Sequence, residues 1–413
     1  VKLDELWPMR SELMFRLERW VNDGSPSGWT DGAHQVGEAF RPTGTRARIP
    51  VPTVQVHVDQ CAWFGDRTDS GLEQLLRADG QVLCLPLHPD VPITPEAIPG
   101  PVLSAVPTSS ARTVAWPDAT RPTHLKLHYP GLLGRAPREL NRRRVRISVA
   151  TSIELSRLRA SGVLDARTDF LAEPVGVVHP SSIVYHENDE VGLLVRDTSP
   201  LTPRRAGLTV LPCFSLTSGD RLVSEDEPLL VQLIRQHGWN VDDFAEALIA
   251  PLLRSYFELA LSFGIIPEMH GQNTLVEIDP DGRCTRVVHR DLLDMVCDPL
   301  VRAARRLPVP TGMRSRELSD TDGVYDWRSW AFDFKFAEYT LEPAVLLFAA
   351  TTGIHTEKVR QVCANLAHRE AEACGVPLRD YFLPWDCVRY LGDDIPDWSS
   401  GPTMRRRAGA RYR

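Results

Sequence analysis

The stretch running from Pro267 to Asp294, "PEMHGQNTLVEIDPDGRCTRVVHRDLLD", decides how the rest of the chain is read. A helical apolar run ends at it, and Glu268, His270, Gln272 and Asn273 then crowd into six residues. "TLVEI", the "DPDG" turn and "CTRVV" predict a two-stranded β-ribbon, because Asp, Pro and Gly supply a turn between two apolar runs. Pairing of the two arms makes neighbours of Asn273 and Asp291, eighteen positions apart in sequence. A hard cation such as Mg²⁺ suits that open end: it takes one or two carboxylate or amide oxygens and completes its shell with water and phosphate. Glu268, His270 and Gln272 enter at the same end. Taken singly, each has a plainer reading, since Asn and Asp cap backbone groups beside turns and a histidine near a helix end is often structural. Five together at one end of a ribbon favour a site.

Outward from this stretch, composition sets limits. A chain of 413 residues is too long for one minimal core, so two or three packed units are expected. With 43% hydrophobic and 24% charged residues it has the profile of a globular protein. The net charge of −7 gives no reason to expect nucleic acid or an anionic membrane as partner. No apolar run is long enough to span a bilayer, and no charged-then-apolar signal pattern opens the sequence. The eight cysteines form no C-x-x-C pair, which argues against a zinc ribbon or disulfide scaffold and points to buried thiols in a reducing cytoplasm.

Between roughly Val51 and Thr217 the chain reads as short strands punctuated by Pro and Gly: "VPTVQVHV", "QVLCLPL", "HLKLHY", "VRISVAT", "PVGVVH", "VGLLVRD" and "LTVLPCFSL". Such a series predicts a largely antiparallel sheet. Helical spacing marks the opening "LDELWPMRSELMFRLERWVND" and, after "SEDEP", "PLLVQLIRQHG", "VDDFAEALIAPLLRSYFELALSFG", "AEYTLEPAVLLFAATTG" and "TEKVRQVCANLAHREAEACG". The expected division is a helical and loop lead (1–50), a sheet-rich unit (51–225), a helix-rich unit holding the ribbon (226–400) and a basic, solvated tail (401–413).

A metal alone would not hold a nucleotide, so the sheet-rich unit should supply cations and hydroxyls. "PTSSARTV" (107–114) offers Ser109, Ser110 and Thr113 as donors and Arg112 as a bidentate fork for phosphate or carboxylate. In "THLKLHYPGLLGRAPREL" (123–140), Lys126 lies mid-strand between apolar neighbours. It either snorkels to solvent or aims into a cleft. "HRDL" has the letters of a protein-kinase catalytic loop, but Val296 stands where kinases carry Asn, and neither a Gly-rich loop nor Asp-Phe-Gly is present. The order of parts is more telling: a His-x-x-Asn loop, a hairpin, then Asp is how a kinase-like metal site is built.

These segments resemble, in order, the NRPS-independent siderophore synthetases typified by aerobactin synthetase. "LCLPLHP" (83–89) is similar to the family's Leu-Pro-x-His-Pro strand, "TSSARTV" to its Ser-x-Arg-Thr motif, and Lys126 with Arg138 to its Lys…Arg phosphate pair. "EPVGVVHPSSIVYHENDEVGLLVRD" resembles a segment ending in Tyr-Arg-Glu, with Arg196 and Asp197 at the last two positions. "GIIPEMHGQNTLVEI…VVHRDL" is similar to the Glu-x-His-x-Gln-Asn…Arg-Asp signature, the most specific match. The resemblance covers roughly residues 80 to 300. It implies an α+β fold shaped as a cupped hand: fingers of mostly antiparallel sheet, a helix-rich palm with a kinase-like hairpin, and a thumb reduced here to the N-terminal lead.

The implied activity joins a carboxylic acid to an amine, hydroxylamine or alcohol through an acyl-adenylate, using ATP and Mg²⁺. By position, Ser109, Ser110, Arg112 and Thr113 would contact nucleotide or activated carboxylate, and Lys126, Arg138 and Arg135 would hold phosphates. His270 and Gln272 would face the acyl centre, and Glu268, Asn273 and Asp291 would serve the metal. The family pairs often into homodimers, an expectation carried over here. Three departures stand out: Ser25 stands where the family's Gly-His-Pro-x-His-Pro acid-binding motif has its first histidine, with only His34 nearby; the N-terminal lead is shorter than in relatives; and Gly134-Arg135 replaces Thr-Ser. They leave the acid open and place siderophores beside other natural products as destinations. Competing readings are a small-molecule kinase on the same palm, which would release ADP rather than AMP and pyrophosphate, and a non-catalytic homologue that binds an acid.

Overall fold

The computed structural model describes residues 1–7, 11–22, 36–40, 44–67, 71–121, 123–130, 132–133, 136–180, 183–184, 190–315, 327–382, 387–391, 404–408 and 411–413. Ser25, His34, Gly134 and Arg135 lie outside them. No described helix is long and apolar enough to cross a membrane.

The fold is α+β. Its largest sheet uses β1 (Ile49–Val51), β2 (Ala62–Gly65), β3 (Leu103–Pro107), β4 (Thr113–Ala115), β5 (Thr123–Leu127), β7 (Val175–Pro180) and β8 (Glu190–Asp197). These seven strands run in the order β1-β3-β4-β5-β8-β7-β2, every pairing antiparallel, as the short punctuated strands predict. Side chains alternate across a strand, so Leu125 and Leu127 enter the fingers core with Val114, Leu193 and Val195. Lys126 and His124 fall on the other face.

Helix α2 (Arg142–Ala160) packs against that second face, with Val145 and Val149 on Val178 and Leu194. This corrects the strand expected at "VRISVAT". Its β-branched residues suit a strand locally, but Asn141 caps the helix by accepting from the Arg144 N–H at 3.0 Å, and burial of one helix face overrides propensity. Gly176 on β7 lets the helix come close, for a Cβ there would lie 2.3 Å from Val145 Cγ1. Buried polar contacts fix the helix at two points along its length. Arg302 pairs with Glu154 at 2.6 Å, and Ser148 donates to Glu173, which also holds Arg196 at 2.5 Å.

The expected ribbon forms as β10 (Thr274–Ile278) and β11 (Cys284–His289), with Gly282 in the left-handed region at φ 77°. It is not isolated. β6 (Thr168–Phe170) pairs parallel to β11 and β9 (Thr209–Pro212) antiparallel to β10, making a four-stranded sheet β6-β11-β10-β9. A two-stranded ribbon alone is marginal in water, and the extra strands, drawn from before residue 225, bury both arms. The long helical runs 241–262 and 327–352 lie in one apolar core with residues of this sheet. Leu3 and Leu6, and Leu13 and Leu17 of α1 (Ser11–Arg19), belong to the same core, so the N-terminal lead packs with the palm.

The basic end is also corrected. Of the described residues, Met404–Ala408 pair antiparallel with Cys387–Leu391. Tyr412 is buried and donates its hydroxyl to Glu342, Arg411 reaches Glu342 at 2.9 Å, and Arg413 reaches Asp333 at 2.9 and 3.0 Å. Glu342 and Asp333 are buried carboxylates on the 327–352 run, and buried charge must be paired. Tyr412→Ala is expected to cost about 3–5 kcal/mol, read as a lowered urea midpoint, because it empties a ring-sized volume. An unchanged midpoint would show that this docking adds nothing to stability.

Candidate active site

The site lies where the seven-stranded sheet meets the open end of the hairpin. Thr274 pairs with His289, and the Arg290 N–H donates to the Asn273 carbonyl at 3.0 Å. Asp291 is the next residue, in the left-handed region at φ 65°, which Asp tolerates better than most side chains. That backbone turns its carboxylate to the facing sheet. Lys126 of β5, 1% exposed, donates to Asp291 Oδ1, and Arg196 of β8 stands 3.8 Å from the same oxygen. Of the two readings left open for Lys126, the buried one holds. Burial lowers its pKa, against the opposing charge of Asp291. Burial alone would raise the Asp291 carboxyl; Lys126 and Arg196 instead hold it well below the ordinary range.

Register extends the cationic face. Lys126 stands opposite Thr113, and the Arg112 guanidinium beside them donates to the Arg138 carbonyl. Burial, with Arg138 adding like charge, pulls Arg112 down to about 9. Ser110 donates its N–H to Thr108 Oγ1 at 3.2 Å, and Thr113 Oγ1 lies 3.4 Å from Ser110 Oγ.

The hairpin side supplies anions and an imidazole. Residues 270–273 form a tight turn, the Asn273 N–H donating to the His270 carbonyl at 2.9 Å. Glu268 accepts from Asn273 Nδ2 at 3.1 Å, pairs with Lys335 at 2.8 Å and lies 3.6 Å from His270 Nε2. Burial pushes the Glu268 carboxyl up, but Lys335 and His270 outweigh it and hold it at about 2. Burial lowers His270 despite Glu268, so the ring is neutral at pH 7. Asp294 is raised, by burial first and then by Glu268 and Asp291, against Arg314 and Lys126.

A third element closes the arrangement. Glu18 of α1 accepts from Ser109 Oγ at 2.8 Å and from Arg290 Nη1 at 3.0 Å. Gln272 Nε2 donates to Ser109 Oγ at 3.0 Å, and Arg290 Nε to the Gln272 carbonyl at 2.6 Å. The structure therefore brings Ser109, Ser110, Arg112, Thr113, Lys126 and Arg138 up to Glu268, His270, Gln272, Asn273 and Asp291; Arg135 is outside the described residues. Sequence reasoning missed Glu18, Lys335, Arg290 and Asp294, and gave Arg196 no role. Lys335 had a signal, a lone cation within "WAFDFKFAEY", and Arg196 shares the face of its cross-strand partner His124.

Among the described residues no group of three or more His, Cys, Asp and Glu side chains is arranged to hold a metal unaided. The donors nevertheless fit a hard cation that arrives with a phosphate: two carboxylates held deprotonated, an amide, and a third carboxyl raised by burial and by its neighbours' charge.

Solved structures share this architecture. Aerobactin synthetase IucC from a hypervirulent pathotype of Klebsiella pneumoniae matches with TM-score 0.62 at 15% identity, over 85% of this chain and 68% of that one. Petrobactin biosynthesis protein AsbB from Bacillus anthracis matches with TM-score 0.68 at 15% identity, over 88% and 68%. The chain has an NRPS-independent siderophore synthetase-type fold. ATP-bound aerobactin synthetase IucA, also from Klebsiella pneumoniae, shares it with TM-score 0.61 at 15% identity, over 87% and 68%. Across residues 241–380, the helical runs and hairpin of this synthetase-type fold match a family described as ferric iron reductase FhuF-like transporter. No curated protein matches in sequence.

Behind the site, His289 Nε2 lies 2.7 Å from Ser255 Oγ, and burial pulls this histidine down to about 3. An unfolded histidine binds its proton near pH 6.5, so the stability present above that value is lost as pH falls toward 3. His289→Gln should flatten the fall of unfolding free energy between about pH 6 and 4.5 by up to ~1.4 kcal/mol per pH unit. Denaturant titrations at stepped pH measure it, and an unaltered slope would reject a neutral buried His289.

Proposed function

We propose that the chain is an ATP- and Mg²⁺-dependent ligase that adenylates a carboxylic acid and condenses it with an amine, hydroxylamine or alcohol, in the biosynthesis of a siderophore or another natural product. One observation carries this reading: Lys126 and Arg196 from one sheet converge on Asp291 from the other, with Arg112 and Arg138 alongside. Such a cluster is cationic on one wall and acidic on the other, which is what a nucleotide triphosphate and its cation require together. The ATP-bound state of a protein with the same fold supports it.

In this reading Lys126, Arg112 and Arg138 take the phosphates, and Ser109, Ser110 and Thr113 donate hydroxyl hydrogen bonds to nucleotide or activated carboxylate. Attack of the acid on the α-phosphate builds negative charge in a crowded space, so preorganised cations lower the barrier by meeting charge as it develops. Glu268, Asn273 and Asp291, with Asp294, would hold Mg²⁺, which when bound neutralises phosphate oxygens. Pyrophosphate leaves, and an amine then attacks the acyl carbon: the C–N bond forms, the bond to the AMP oxygen breaks, and the nitrogen sheds a proton. Neutral His270 accepts that proton, and Glu268 at 3.6 Å stabilises the imidazolium that results. Gln272 positions the loop through Ser109 and Arg290.

Acid-dependent exchange of labelled pyrophosphate into ATP, scanned over a panel of carboxylic acids, tests the reaction class. Exchange with at least one acid is expected; turnover to ADP without exchange would replace the ligase by a kinase. Lys126→Ala and His270→Ala should each lower coupled product at least about tenfold while the chain stays folded, the first with a lowered melting temperature because Asp291 loses its buried partner. Near-normal rates in both variants would remove these residues from the chemistry.

A further inference from the structure

The segment "LCLPLHP" has no part in the chemistry proposed above, yet it carries a histidine that is 0% exposed. His88 follows the strand Val82–Pro86 and reaches the loop that bears Ser109, Ser110, Arg112 and Thr113. Its Nδ1 accepts from the Asp90 N–H at 3.2 Å. A ring nitrogen that accepts carries no proton, so the neutral ring holds its proton on Nε2, which donates to the Ala111 carbonyl at 3.0 Å. Burial lowers the pKa of the ring, against the opposing charge of Asp90, and so favours that neutral form.

Ala111 stands between Ser110 and Arg112, and the next two carbonyls of the loop are held as well. The Arg112 carbonyl accepts from the Leu127 N–H at 2.8 Å, and the Thr113 carbonyl accepts from the Thr108 N–H at 3.1 Å and from Thr108 Oγ1 at 2.9 Å. Of these three anchored carbonyls, only that of Ala111 is held by a side chain from outside the loop and its neighbouring strands. The ring is itself braced. Phe40 lies 4.1 Å from it between centroids, and Tyr129 meets it edge-on at 5.0 Å. Asp90 accepts from the Gly37 N–H at 2.6 Å, an approach only glycine permits, since a Cβ there would stand 2.7 Å from Asp90 Oδ1.

Resting on the ligase reading, we infer that His88 is a positioning residue for the nucleotide loop. Through its one bond to Ala111 it fixes the turn that aims Ser110 and Arg112, and residues 36–40 hold the imidazole in the orientation that makes this bond. His88 touches no substrate. Because the bond exists before any ligand arrives, its loss loosens the loop in the free chain. ATP must then order the loop as it binds, which weakens binding more than it slows chemistry.

Two replacements separate the two bonds of the ring. His88→Gln sets an amide N–H where Nε2 stands and keeps the donation to Ala111. His88→Asn sets an amide oxygen where Nδ1 stands, keeps the bond from the Asp90 N–H, and is too short to reach Ala111. In acid-dependent pyrophosphate exchange, His88→Asn should raise the KM for ATP about three- to tenfold with kcat changed less than about twofold, while His88→Gln stays within about twofold in both. Amide hydrogen exchange over residues 108–113, read without ligand, should quicken in His88→Asn and not in His88→Gln. Equal losses in the two variants would leave His88 a packing residue and overturn the proposal. So would unaltered KM and unaltered loop exchange in His88→Asn. Histidine-selective ¹⁵N labelling of the unsubstituted chain reads the tautomer even where a variant does not fold: a proton on Nε2 is expected, and one on Nδ1 would reject the bond to Ala111. Quickened loop exchange in His88→Asn alone, in a chain that shows no pyrophosphate exchange with any acid, would keep the positioning role and discard the ligase.

Discussion

Lys126 and Asp291 meet across the boundary between two sheets, and the rest of the site follows from that contact. A lysine in the middle of a strand, 1% exposed, is costly unless a countercharge is delivered to it. Asp291 is delivered by the hairpin's register and by a left-handed backbone turn, neither of which the fingers sheet controls. The two halves of the molecule must therefore dock in one relative position for either charge to be tolerated. Buried ion pairs add little net stability against an apolar alternative, but losing one partner is severe, so they specify an arrangement more than they strengthen it.

The same logic explains the crowd of arginines. Arg196 is shared between Glu173 at 2.5 Å and Asp291 at 3.8 Å, and Glu173 in turn accepts from Ser148 of α2. Helix α2 thus sets the position of a cation in the cleft without lining it. On the other wall Lys335, from a helical run distant in sequence, balances Glu268 and keeps that carboxylate ionised beside His270. Each charge at the mouth is steadied by one behind it. The front charges are then available to exchange partners with a ligand.

Much of this was legible in the sequence because the deciding stretch is local. A turn signal between two apolar runs fixes a hairpin, and a hairpin fixes which residues meet at its end. Asn273 and Asp291 needed no knowledge of the rest of the chain. The alternation in "HLKL" likewise placed Lys126 opposite the core face. What the sequence withheld depends on long-range contact. "VRISVAT" is strand-like by composition, and only the apolar face waiting on β7 and β8 makes it helical. Glu18 lies within a helix whose pattern predicts burial for its apolar side but not for a carboxylate 91 residues from its serine partner and 272 from its arginine. The closing residues "RYR" read as solvent-loving until the buried acids that receive them are known.

Glu18 also shows why the N-terminal helix cannot be treated as an appendage. Its Leu13 and Leu17 join the palm core, while its carboxylate binds Ser109 beside the fingers and Arg290 at the hairpin's end. A helix seated by apolar packing on one unit and by a charged hydrogen bond on the other acts as a strut between them. Rigid placement matters at such a point, because a displacement of about 1 Å at reacting groups can cost on the order of a hundredfold in rate.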